Sequence, residues 1–182
     1  MSTIIIVVVV IVLAFIYAGL YNNLVRYRNR AREFSSQIGV QLKRRTDLIP
    51  NLVETVKGYA SHEKETLSKV VELRNNVTNA GSLQEKVDAD NQLTGVLRQV
   101  FALSESYPDL KANQEFGRLM EELSNTENKV SYARQAYNSQ VQLYDTAIET
   151  FPRNIIAKIH GFKRMDFLQI PEAETEVPKV KF

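Results

Sequence analysis

The sequence predicts an all-α protein: an N-terminal transmembrane helix followed by an antiparallel up-and-down four-helix bundle of long, coiled-coil-like helices. Three observations predict it. Ile4–Leu20 carries no charge, and thirteen of its seventeen residues are Ile, Val, Leu or Phe. Such residues each favour insertion by about 0.3–0.6 kcal/mol near a bilayer centre, and the run is almost long enough to cross alone. Beyond it, apolar residues recur at alternating spacings of three and four, one face of an α-helix. Punctuation between these stripes is brief, as expected where neighbouring helices run antiparallel. The boundaries are 1–25 for the anchor, 26–152 for the bundle, 153–170 for a basic amphipathic segment and 171–182 for a mobile tail.

The composition narrows the function classes. Net charge is +2, which gives no sign of a dedicated nucleic-acid binder, and no Cys is present for disulfides or thiolate chemistry. A cleaved signal peptide needs a basic start and a small-residue exit site. Met1-Ser2-Thr3 and Tyr17-Ala18-Gly19-Leu20 supply neither, which favours a retained anchor. Arg26, Arg28, Arg30 and Arg32 follow the anchor, against Glu33 alone before Lys43. The positive-inside rule therefore puts the C-terminal domain in the cytoplasm.

The first helix continues past the anchor on Leu24, Tyr27, Ala31, Phe34, Ile38 and Leu42. Lys43-Arg44-Arg45 reads as a helix end, where cations suit the dipole. Thr46-Asp47 reads as a turn and cap, with Pro50 in the first turn of a second helix. The rival is one helix kinked at Pro50; coincident stop and start signals favour the break. The second helix carries Leu48, Leu52, Val56, Tyr59, Ala60, Leu67, Val70, Val71 and Val77, and ends at Gly81 in a left-handed C′ position. Ser82-Leu83-Gln84-Glu85 is a capping box. It opens a third helix to about Ser104, with Leu83, Val87, Leu93, Leu97, Val100 and Phe101 inward. The longest helix spans about 113–150. Its seam is Phe116, Leu119, Leu123, Thr126, Val130, Ala133, Tyr137, Gln140, Tyr144, Ala147 and Phe151, where the polar Thr126 and Gln140 either fix register or, the favoured reading, mark where the seam meets water.

An up-and-down course returns the basic segment to the lipid beside Arg26 and Arg28. There Ile155, Ile156, Ile159 and Phe162 either lie in the interface or cover the bundle's end, with Lys158 and Lys163 facing an anionic leaflet. No pattern of catalysis emerges. His62 and His160 lack the partners of a di-iron or zinc motif, and Glu121 and Glu122 are adjacent, so they point to different sides of a helix. The expectation is a non-enzyme without cofactor or metal.

One long stretch is familiar. Val40-Gln41-Leu42-Lys43-Arg44-Arg45-Thr46-Asp47-Leu48-Ile49-Pro50-Asn51-Leu52-Val53-Glu54, continuing to Tyr59-Ala60 and His62-Glu63, resembles the bacterial LemA family. So do Tyr21-Asn22-Asn23-Leu24-Val25, Tyr107-Pro108-Asp109-Leu110-Lys111-Ala112-Asn113, Thr126-Glu127-Asn128, Tyr137-Asn138, Phe151-Pro152 and Gly161-Phe162. Phe34-Ser35 stands where such proteins usually carry Trp-Ser. The resemblance implies a single-pass protein of the bacterial inner membrane with a four-helix bundle, and no activity. The motif residues are Gln41, Lys43, Arg44, Arg45, Asp47, Pro50, Asn51 and Glu54.

Four functions compete. The favoured one is a membrane-tethered scaffold or interaction protein. It would bind the bilayer, copies of itself and other membrane proteins, but not nucleic acid. The others are an adaptor in envelope quality control or stress response, a remodeller of membrane shape, and an enzyme.

Overall fold

The computed structural model describes residues 1–169; the expected tail at 171–182 lies outside them. The chain is all-α. Its helices are α1 (Ser2–Tyr59), α2 (Lys64–Asn79), α3 (Leu83–Ser104), α4 (Pro108–Lys111), α5 (Gln114–Glu149) and α6 (Arg153–Ile159). They fall into two compact units. One comprises Met1–Ser36 with Arg134–Phe167, the other Gln37–Ala133 with Leu168 and Gln169.

In the second unit α1 runs unbroken to Tyr59 with Pro50 inside it. The expected break at Thr46-Asp47 is therefore wrong, and Lys43-Arg44-Arg45 is not a helix end. Proline at 50 deletes the hydrogen bond that would end on the Thr46 carbonyl. The Arg74 Nε on α2 donates to that oxygen at 3.4 Å, so it keeps a partner. The true turn is at 60–63, where the Glu63 amide donates to the Ala60 carbonyl. The expected second helix is thus the end of α1 plus α2.

The start of α3 follows the sequence expectation. The Ser82 hydroxyl accepts from the Glu85 amide, and Glu85 reaches back to the Ser82 and Gly81 amides. Gly81 is not left-handed, because Ala80 leaves the helical region first, at φ −58° and ψ 134°. The inward stripes are buried at Ile38, Leu42, Leu52, Val56, Leu67, Val70, Val77, Val87, Leu93, Leu97 and Val100. Tyr59, Val71, Phe101 and Phe151, expected inward, are exposed. Thr126 does not meet water: it is buried, and its hydroxyl donates to the Leu123 carbonyl within its own helix.

The turn after α1 and the segment before α5 are tied together. Tyr107 donates its hydroxyl to Glu63 at 3.1 Å, and Asn113 Nδ2 donates to the Tyr59 hydroxyl at 3.0 Å. Asn113 also caps α5, accepting from the Phe116 amide. The bond to the Glu63 carboxylate, with lesser contributions from burial and that negative charge, raises the Tyr107 phenol above its ordinary value.

The first unit holds the start of α1, the end of α5, and α6. Leu24 of α1 packs with Tyr144, Ala147 and Ile148 of α5 and with Ile156 and Ala157 of α6. Ahead of this core α1 is bare. From Ile4 to Ile16 its large side chains are between 50% and 75% exposed. This is the one helix among the described residues long and apolar enough to cross a membrane.

Candidate membrane-interface site

Where the bare stretch of α1 ends, aromatic residues gather. Tyr17 and Tyr21 are one turn apart on the same face. The Tyr17 hydroxyl lies 2.6 Å from His160 Nε2, a bond in which Tyr17 donates when that nitrogen is unprotonated. The Tyr21 ring sits 4.7 Å from the His160 ring and meets Phe162 edge-on at 5.9 Å. The Arg28 guanidinium lies 4.8 Å above the Phe162 ring, a cation–π contact. Tyrosines with an apolar ring and a polar tip suit a water–lipid boundary, and these stand at the end of the apolar run.

Helix α6 is held there by both of its ends. Phe151-Pro152 stops α5, and Pro152 precedes the first residue of α6. At the other end the Phe162 amide donates to the Ala157 carbonyl and the Gly161 amide to the Lys158 carbonyl. This is a Schellman closure, and Gly161 takes the left-handed conformation it requires, φ +67°. The closure turns Phe162 back toward Tyr21 and Arg28. The chain then runs along α5. Tyr144 donates to the Lys163 carbonyl at 2.9 Å, the Met165 amide to Asp145 at 3.1 Å, and Tyr137 to the Asp166 carbonyl at 3.0 Å. Arg164 pairs with Glu149. Burial raises the Tyr137 phenol above its ordinary value, with Asp166 and Asp145 adding to it. Burial also raises Tyr144, against the opposing charge of Arg28.

The residues expected at the interface divide by face. Ile156 is buried in the core, Phe162 is half-buried, and Arg28 reaches Phe162. Arg26, Lys158 and Lys163 are exposed. Ile155 and Ile159 are 52% and 66% exposed, and Phe151, one further step of four back, is 80% exposed. The grouping of Tyr17, Tyr21 and His160 is absent from the sequence reading. The available signal was the pair of tyrosines spaced by four at the end of an apolar run.

The motif residues at 41–54 also divide. Lys43 pairs with Asp47 at 3.2 Å and Glu54 with Lys57 at 3.4 Å, all exposed. Arg44 comes within 3.9 Å of Glu122. Gln41 is half-buried, and Pro50 and Asn51 are exposed. Arg45 is different: it is 1% exposed, bonded to Asp90 of α3 at 2.8 Å and to Glu127 of α5 at 3.1 Å. Arg98 reaches the other Glu127 oxygen at 3.3 Å. Arg45, Arg98 and Glu127 line a groove of about 600 Å³ together with Leu97, Phe101 and Met120. The signal for this cluster was a charge within an apolar stripe: Arg45 lies three after Leu42, and Asp90 three after Val87 and three before Leu93.

The chain is similar to known proteins over most of its length. The chain is 28% identical to Protein LemA of Metamycoplasma hominis over 88% of its own length and 74% of that protein. It is 24% identical to Magnetosome protein MamQ of Magnetospirillum gryphiswaldense over 86% of its length and 68% of the relative. It is 25% identical to Magnetosome protein MamQ 2 of Paramagnetospirillum magneticum, over 82% of its length and 64% of that protein. The LemA family profile matches residues 34–182, which takes in the motif at 41–54, the buried Arg45 cluster and α6. This chain belongs to the LemA family.

Proposed function

We propose that this protein is a membrane-anchored α-helical scaffold that assembles with copies of itself and carries no enzymatic activity. The observation that carries the reading is the bare apolar start of α1, Ile4–Ile16, on the same helix that enters the core at Leu24. Water would leave that surface uncovered; a bilayer covers it. Confinement of anchored copies to two dimensions raises their effective concentration. Ala14, Ala18 and Gly19 present small side chains where two anchors can approach.

The long helices α1 and α5, with α2 and α3 joined through the brief turn at 80–82, support an antiparallel up-and-down bundle with a coiled-coil-like seam. The domain after the anchor lies on the cytoplasmic side of the bacterial inner membrane. The Arg26, Arg28, Arg30 and Arg32 run supports that orientation. Mass measurement of the full chain in nanodiscs tests assembly, and protease protection in intact cells tests orientation. The expected outcome is a discrete oligomer with its C-terminal domain protected from external protease. A strict monomer that crosslinks to nothing in cells contradicts the scaffold reading.

A further inference from the structure

We propose that the outward face of α6 lies in the headgroup layer of an anionic leaflet. Phe151, Ile155 and Ile159 enter the acyl boundary, while Arg153, Lys158 and Lys163 meet lipid phosphates. The inference rests on the reading of α1 as the anchor. It deepens that reading by naming the lipid class that a second element recognises.

The argument is one of depth. Tyr17 belongs to the uncharged stretch of α1, and its hydroxyl is 2.6 Å from His160, the residue that follows Ile159. Tyr21, one turn on, packs against the same imidazole at 4.7 Å. Any membrane that holds the Tyr17 ring at its boundary therefore holds the end of α6 there too. The helix is built for that position. Ile156 and Ala157 close the core, which leaves the opposite side free. On that side Ile155 and Ile159, one turn apart, stay exposed, and Phe151, just ahead of the helix, is exposed as well. Lys158 and Lys163 are exposed beside them, and Arg153 opens the helix. Apolar residues of this kind with flanking cations are the composition of helices that lie in an anionic interface. A second copy of the chain would not need the face to coincide with the depth of Tyr17.

The test uses the absence of Trp from the sequence. Ile159→Trp places a single indole on the proposed face of the full chain. The protein is reconstituted in phosphatidylcholine vesicles, with or without phosphatidylglycerol, whose acyl chains carry bromine at shallow or deep positions. The expected result is a blue-shifted emission quenched most by shallow bromine, and more strongly with phosphatidylglycerol present. Charge reversal at Lys158 and Lys163 should remove that preference. Phe151→Trp gives the same readout from a position outside α6, should the first variant fold poorly.

Phe15→Trp is the control for the anchor, quenched by deep bromine. Emission of the Ile159→Trp variant that stays aqueous and unquenched while the control is quenched overturns this proposal and leaves the anchor standing. Emission shielded from water yet unquenched by lipid means that protein covers the face, and also overturns it. Equal quenching in both vesicle types overturns the preference for anionic lipid. A control that bromine does not quench overturns the anchor reading, and this proposal with it.

Discussion

Arg45 shows how one residue can organise three helices. Its guanidinium is buried between Asp90 of α3 and Glu127 of α5, while its own backbone belongs to α1. Removing one partner of a buried ion pair typically costs about 3–5 kcal/mol, because the remaining charge loses its compensation. Arg45→Ala should therefore lower stability by about that amount in urea titrations of the detergent-solubilised protein. Arg45→Met with Asp90→Leu should recover most of the loss, since an apolar pair of similar bulk leaves no buried charge between them. Pro50 poses the opposite problem, a residue that costs stability where it stands. A proline inside a helix is about 3 kcal/mol worse than alanine, and Arg74 offsets part of that by bonding to the Thr46 carbonyl. Pro50→Ala should stabilise by up to about 3 kcal/mol. In a double-mutant cycle, Arg74→Ala should cost more with Pro50 present than with alanine there. Equal costs in the two backgrounds would remove this account of how α1 tolerates its proline.

At the scale of elements, α6 depends on how its end is closed. Gly161 is left-handed and lets the Phe162 amide reach back to the Ala157 carbonyl. A side chain in that conformation costs about 1–2 kcal/mol. Gly161→Ala should destabilise by a similar amount and loosen the ring contacts of Phe162, which a thermal melt and the ring-proton shifts would record. The segment after α6 is fastened to α5 by hydroxyls of Tyr137 and Tyr144 that must stay protonated to donate. Both phenols are raised by burial above the ordinary tyrosine value of about 10. Their contribution to stability is therefore complete below that value and is lost as pH rises through the higher folded-state values. Tyrosinate absorbance should show these two groups titrating late, with the segment releasing as they do. Ionisation of both near 10, without any change in this unit, would contradict the assignment.

Much of this was legible in the residues. The capping box at Ser82–Glu85 and the buried stripe of α5, Phe116, Leu119, Leu123, Val130, Ala133, Tyr137, Tyr144 and Ala147, follow from local rules that no tertiary contact overrides. Pro50 misled because the compensating donor, Arg74, comes from a different helix, and a linear reading cannot see that bond. Arg45 misled for a related reason. Read as a cation at a helix end it makes sense, but its partners lie 45 and 82 positions away. The residues grouped at the interface mix two faces of one short helix. Ile156 belongs to the core, whereas Phe151, expected in the seam, stands outside it.

For the molecule as a whole, function follows from one division of labour. An apolar stretch that none of the described residues covers begins the helix whose later turns supply Leu24, Ile38, Leu42 and Leu52 to buried cores. The LemA family match covers residues 34–182, and the bare stretch precedes it. The account stands on the bilayer covering that stretch. Alkaline carbonate extraction of cells expressing the full chain, with intact-mass measurement of the recovered protein, tests this most directly. The account predicts that the protein stays with the membrane pellet at a mass that includes Ile4–Leu20. Protein released into the supernatant, shortened by its apolar stretch, would contradict it.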